Sequence, residues 1–216
     1  MTRVTDPVLT RRGAATRQRL LQAAEQELVE RDGGLEVASV AARADVSVGL
    51  LYRYFGSKAG LVAAVVEAFY DRLQEQVTDV DPAPSTDWAT RERRRMELSV
   101  GFHYREPLAA VILSRLSREP GVAAVEMRRI GRLVEDAARN VASAQRRGEI
   151  RADADPRTVG AILLGGFRVA MAEALIRPDR PGERELTDEL WRFVVGGVGV
   201  ADARQEARMA SEGLGI

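Results

Sequence analysis

The chain has 216 residues, 45% of them apolar, which suits one large domain or a small one joined to a larger one and excludes disorder as its default state. Its 32 basic residues balance 32 acidic ones, so no net field draws the whole molecule onto nucleic acid or membrane, and any such attraction must be local. With no cysteine, disulfides, thiolate metal sites and cysteine nucleophiles are excluded together. Aromatic residues make up only 5% and Ala, Leu, Arg and Glu dominate, a composition that points to an all-α fold with little or no sheet.

In chain order, the first 20 residues carry Arg3, Arg11, Arg12, Arg17 and Arg19 against the single acid Asp6, which reads either as a solvated terminus or as a basic arm over residues 1–13. A first helix is expected from Thr16, with Leu21, Ala24 and Leu28 on one face and a stop at Asp32-Gly33-Gly34. Val37 to Ala44 reads as a second short helix, Asp45-Val46-Ser47 as a tight turn, and Val48 to Phe55 as a third helix capped by Ser47. Ser57 caps a fourth, longer helix with Leu61, Val65, Ala68 or Phe69, and Leu73 inward. These pieces are too short to fold singly and must pack on one another.

Asp81-Pro82-Ala83-Pro84-Ser85 interrupts the helical pattern and marks the expected domain junction. Beyond it, Trp88 to Tyr104, Pro107 to Arg118, Val122 to Arg147, Pro156 to Ile176 and Glu183 to Ala207 read as helices, about nine in all. Gly213 to Ile216 reads as a frayed end. The division expected is a small unit over 14–60 with a linking helix to about 80, then a larger unit over 81–216. The start of the chain has no apolar signal region, and the longest apolar stretches, Val159 to Phe167 and Phe193 to Ala201, fall short of the roughly 20 residues that span a bilayer. A cytoplasmic protein without a membrane partner is expected.

Two short helices joined by a three- or four-residue turn form a helix-turn-helix, whose second helix can enter the DNA major groove while the first braces it. Ala41 to Lys58 (AARADVSVGLLYRYFGSK) closely resembles the signature of the TetR, or tetracycline-repressor-like, family of bacterial transcriptional regulators, and Arg19 to Ala24 (RLLQAA) is similar to that family's first helix. The resemblance covers residues 14 to about 75. Beyond that only the helix count and Gly148 to Asp153 look familiar. It implies a three-helix DNA-binding domain followed by a ligand-binding and dimerisation domain, acting as a homodimer on a double-stranded operator, with a small hydrophobic effector and no cofactor or metal.

Residue chemistry agrees. Val48, Gly49 and Leu50 at the start of the third helix allow close approach to base edges and contact with a thymine methyl, and Arg53 follows one turn later toward a guanine edge or a phosphate. Arg17, Ser39, Arg43, Ser47, Tyr52, Tyr54 and Lys58 supply the hydroxyls and cations that hold phosphates. Lys58 is the one lysine in the chain and stands at a helix N-terminus. Bland readings stand beside these: Tyr52 as half core, and Arg43 as a solvated ion pair with Asp45. The sequence departs from the family pattern in three places. Asp45 replaces the usual turn glycine, Leu50 stands where threonine is common, and Ala59-Gly60 replace an acidic pair, weakening the start of the fourth helix.

In the second unit, Met96, Ser99, Val100 and His103 share one helix face and suit an apolar pocket with few polar points, joined by Leu113, Met127, Ile130, Phe167 and Met171; ordinary core explains them equally. Val159, Ile162, Gly166 and Ala170 form one stripe, and Leu186, Leu190, Phe193, Gly197 and Val200 another, either intramolecular core or a four-helix dimer interface. The function expected is a regulator, a repressor released from a pseudo-palindromic operator by effector. The alternatives are a helical scaffold or small-molecule-binding protein without DNA, and an enzyme using His103 as general base.

Overall fold

A computed structural model describes residues 10–82, 86–116 and 119–200. Among them run nine α-helices: α1 Arg11–Glu30, α2 Val37–Arg43, α3 Val48–Phe55, α4 Lys58–Leu73, α5 Trp88–Arg105, α6 Pro107–Ser114, α7 Pro120–Arg146, α8 Pro156–Ile176 and α9 Glu183–Val198. The described residues contain no strand, only one isolated antiparallel bridge between Ile150 and Val200. Arg3 and the tail after residue 200, with the expected frayed end, lie outside the described residues.

Helix ends follow local chemistry. α1 starts earlier than expected because Thr10, not Thr16, accepts the orphan amide of Gly13 at 3.2 Å, while the Thr16 hydroxyl donates to the Arg12 carbonyl inside the helix. Arg11 to Gly13 therefore belong to α1 rather than to a separate arm. It ends where Asp32 and Gly33 take positive φ (48° and 95°) and the Gly33 amide reaches back to the Leu28 carbonyl. Pro120 opens α7 instead of ending α6, since a proline at the first helical position gives up an amide that has no helical partner anyway. α9 stops at Val198 rather than running on, because Gly199 adopts a left-handed cap (φ 58°) and Val200 turns back to Ile150.

The core runs across the expected junction. One buried cluster joins Leu20, Leu28, Val40, Leu51, Leu61, Val65 and Phe69 from the first four helices to Phe102 of α5, Leu108 and Ile112 of α6, and Val122 and Val125 of α7. The Phe69 and Phe102 rings meet at 5.3 Å. A π-type turn, Gln74–Thr78, extends α4, and the Arg95 guanidinium of α5 donates to the carbonyls of Val77, Thr78 and Val80 as it ends. The first four helices and the larger body thus share one apolar core, with Leu61, Val62, Val65, Val66, Phe69 and Tyr70 of α4 buried between them.

α8 is the exception to this burial. It is long and apolar enough by length and composition to cross a bilayer, which the broken apolar runs of the sequence did not suggest, because Arg168 and Glu173 interrupt those runs without stopping the helix. Only Gly160, Met171 and Ala174 are fully buried in it.

Candidate nucleic-acid interface

α2 is pinned by Val40 and Ala41, both buried, and by a carboxylate hub on α1. Glu27 is only 1% exposed; it accepts from the Ser39 hydroxyl at 2.8 Å and pairs with Arg31 at 2.7 Å and Arg43 at 3.5 Å. Arg43 also grips Glu30 through both guanidinium nitrogens, at 2.6 and 2.9 Å, and donates to Gln26. Two residues expected on phosphates, Ser39 and Arg43, are thereby engaged in bracing α2 on α1, and the partners of Arg43 are on α1 rather than Asp45. The signal was available: Glu27 falls on the apolar stripe of α1, at i+7 from Leu20, where a carboxylate must find partners.

The turn that follows depends on Asp45, whose φ of 51° is left-handed, as the replacement of glycine by a short polar side chain permits. Ser47 then caps α3 by accepting the Leu50 amide at 3.2 Å. Of the eight residues of α3 only Leu51 is fully buried. Tyr54 and Phe55 are half-buried, and Leu50, expected to be open to bases, is half-buried as well. Val48 (39% exposed), Gly49, Tyr52 (43%) and Arg53 are left to solvent.

α3 ends at Gly56, in the left-handed region at φ 72°, and Ser57 caps α4 by accepting the Gly60 amide at 2.9 Å. Gly60 does not fray the start of α4. A Cβ there would collide with the Phe55 carbonyl oxygen, so glycine is what lets α4 start so close behind α3. Lys58 stands exposed at that start and pairs with no carboxylate of the described residues. Arg17 of α1 lies over the Phe55 ring at 5.5 Å. One end of the molecule therefore presents Val48, Gly49, Tyr52, Arg53 and Lys58 together.

In the larger unit the expected pocket residues divide. Val100 and Met171 are buried in one packed cluster, with Met96, Leu113 and Phe167 against it. The buried His103 ring touches Phe69, Phe102 and Phe167 edge-on, and its Nδ1 lies 2.7 Å from the Ser99 carbonyl, the geometry of an N–H donating to that oxygen. The Ser99 hydroxyl is spent on the Arg95 carbonyl. Ile130 is half-buried, and Met127 is 76% exposed, so α7 does not bring Met127 to this cluster. A cleft of about 390 Å³ lies elsewhere, between α5 and α9, lined by Arg93, Glu97, Glu183, Arg184, Thr187 and Asp188.

Beside His103, and missed in the sequence, a polar triad ties three helices. Tyr70 of α4 donates to Glu126 of α7 at 3.1 Å, and Arg168 of α8 donates to Glu126 at 2.6 Å and to the Tyr70 oxygen at 3.1 Å. Burial, reinforced by the Glu126 carboxylate, pushes the Tyr70 hydroxyl up to about 12. On the outer side of the same unit, Ile162 (59% exposed), Gly166, Phe193 (70%) and Gly197 lie open, with Ala170, Leu190 and Val200 half-buried.

These features define an all-helical protein whose helix-turn-helix is mounted on a larger helical body. Residues 20–65 match the model of the bacterial regulatory proteins of the tetR family. Similar solved structures include a TetR-family transcriptional regulator of Pectobacterium atrosepticum (23% identity, TM-score 0.68, 89% of this chain and 98% of that one) and GusR of Salmonella enterica (21%, 0.67, 92% and 100%). A TetR-like transcriptional regulator of Rhodococcus sp. RHA1 is a third (22% identity, TM-score 0.63, 85% of this chain and 96% of that one). No curated protein matches the sequence. Residues 20–65 thus carry the segment that the tetR family model describes, and the chain as a whole shares the fold of these solved regulators.

His103 generates a pH prediction. Burial lowers its pKa below the ordinary 6.5, so below that pH the unfolded chain binds a proton that the folded chain refuses. This contribution is complete above about pH 6.5, the unfolded value, and falls away as the pH drops below it toward the lowered folded value. The fall in melting temperature between about pH 7.5 and 5.5 is expected to be smaller in His103→Phe than in the wild type; an equal fall would place the effect on other groups.

Proposed function

We propose that this chain is a homodimeric repressor that reads a pseudo-palindromic operator with α3 and is released by a small hydrophobic effector in the cytoplasm. The observation that carries the reading is the economy of α3, which gives one side chain, Leu51, wholly to the core and leaves Val48, Gly49, Tyr52 and Arg53 open beside Lys58. Val48, Gly49 and the edge of Leu50 meet bases together with Arg53; Ser47, Tyr52, Tyr54, Lys58 and Arg17 hold the backbone. Ser39 and Arg43 serve as braces.

The second copy sits on α8 and α9. Ile162, Gly166, Phe193 and Gly197 form an exposed apolar face of small and large residues, which suits helix-on-helix packing between two copies. A dimer axis here accounts for the thin burial of α8 without a membrane, and the ion-paired Arg168 in mid-helix fits protein surroundings better than lipid.

The effector lodges among Met96, Val100, His103, Leu113, Phe167 and Met171. These residues pack closely in the conformation described, so admitting a ligand parts α5 from α8. Arg168 lies next to Phe167, and its bond to Tyr70 carries that movement to α4 and so to α3. Only an effector with higher affinity for the parted state can shift the balance.

Two measurements test these assignments. Lys58→Ala and Tyr52→Ala are expected to weaken duplex binding across many sequences with little change in melting temperature, while Arg43→Ala lowers the melting temperature by unpinning α2. Equal melting losses in all three would make Lys58 and Tyr52 structural. For the dimer, sedimentation of the wild type is expected to give a two-chain mass and of Ile162→Glu/Phe193→Glu a one-chain mass with helicity retained. A wild type that sediments as a single chain would refute the interface.

A further inference from the structure

We propose that the first nine residues of α1, Arg11 to Arg19, form a cationic ridge that binds the phosphate backbone of duplex DNA flanking the segment read by α3, an inference that rests on the DNA-binding reading above. This stretch is helical, yet it is not part of the core. The first fully buried residue of α1 is Leu20, so about 13 Å of helix, at 1.5 Å per residue, precedes it, with Gly13, Thr16 and Arg17 half-buried and the other six residues exposed.

Its charge is one-sided. Arg11, Arg12, Arg17 and Arg19 stand here with no acid among the nine residues. At 100° per residue, Arg11, Arg12 and Arg19 fall within an arc of about 100° on the face opposite Leu20, Leu21, Ala24 and Leu28. All three are exposed, and none pairs with a carboxylate of the described residues. Several guanidinium groups elsewhere are, by contrast, neutralised in place: Arg43 by Glu30, Arg72 by Glu25 and Glu106, Arg129 by Glu67 and Asp71, Arg168 by Glu126.

The ridge also runs against the helix it is built on. Arg11 and Arg12 occupy the first turn of α1, which contains no acid, and there the positive end of the helix dipole disfavours cations. Four arginines within nine residues repel one another as well. A local arrangement that works against its own stability is intelligible where an external polyanion supplies the missing counter-charge. Arg17 differs from the other three: half-buried on the inner face, it lies 5.5 Å over the ring of Phe55, the last residue of α3. That cation–π contact fixes the direction of the ridge relative to the recognition helix. About 13 Å of helix corresponds to about four base pairs of duplex axis, long enough for three guanidinium groups to meet separate phosphates.

The test compares the full-length wild type with R11Q/R12Q/R19Q and R11K/R12K/R19K on a 40-base-pair random-sequence duplex, by fluorescence anisotropy between 50 and 200 mM salt. Glutamine matches arginine closely in helix propensity and the three side chains are exposed, so neither variant should melt below the wild type, and the glutamine variant, relieved of the repulsion, should melt at or slightly above it. The glutamine variant is expected to bind about tenfold or more weakly, with a salt slope shallower by about one unit for each phosphate no longer neutralised, while the lysine variant keeps the slope. A wild type that binds alongside a glutamine variant of equal affinity and equal slope overturns the ridge and leaves the role of α3 standing. A wild type that binds no duplex at all overturns the DNA-binding reading, and the ridge with it.

Discussion

The DNA-binding end depends on how little of α3 is given to the core. Leu51 alone of its residues enters it completely, at 0% exposure, in the cluster that also holds Leu20, Leu28, Val40 and Leu61. A buried leucine of this kind is worth about 2–5 kcal/mol against alanine, enough to seat a helix that could not stand alone. The remaining hold comes from Tyr54 and Phe55, packed half-buried against the same cluster, and from the ends: Ser47 at the start, the left-handed Gly56 and the tight Ser57-Gly60 junction at the finish. With seating and ends accounted for, the other face of the helix carries no structural duty.

That seating is only as firm as the helices beneath it, and these are tied to the rest of the molecule. Glu27 holds α2 to α1 through Ser39 and Arg43. α4 is held to α7 by Glu67 and Asp71 meeting Arg128 and Arg129, and to both α7 and α8 by the triad of Tyr70, Glu126 and Arg168. Removing one partner of a buried ion pair costs roughly 3–5 kcal/mol, so Glu126 constrains Arg168 strongly. Because Phe69, Phe102 and Ile112 belong to the same core as Leu51, the recognition helix has no hinge of its own. Its pose belongs to the whole body.

Much of this was legible because short-range chemistry decides it. The bounds of α3, the caps at Ser47 and Ser57 and the left-handed tolerance of Asp45 follow from residue types at fixed spacing. What was not legible depends on partners distant in sequence. Ser39 and Arg43 look like phosphate ligands until Glu27 is found beneath them, and Met127 looks like pocket lining until the rotation of α7 turns it outward. Gly60 reads as a weak start to a helix, whereas its role is to admit the Phe55 carbonyl. Pro120 reads as a stop and acts as a start, since a proline fits both ends of a connection. The prolines at the expected domain junction mark where the chain turns, and burial alone shows that the apolar core continues across it.

The central claim is that α3 is mounted in pairs to read DNA. Selection of duplexes by the full-length protein from a random-sequence pool tests it most directly. The account predicts enrichment of an inverted repeat whose half-sites are centred one helical turn apart, about 10–10.5 base pairs, or a multiple of it. A pool that remains unenriched at modest salt would contradict it.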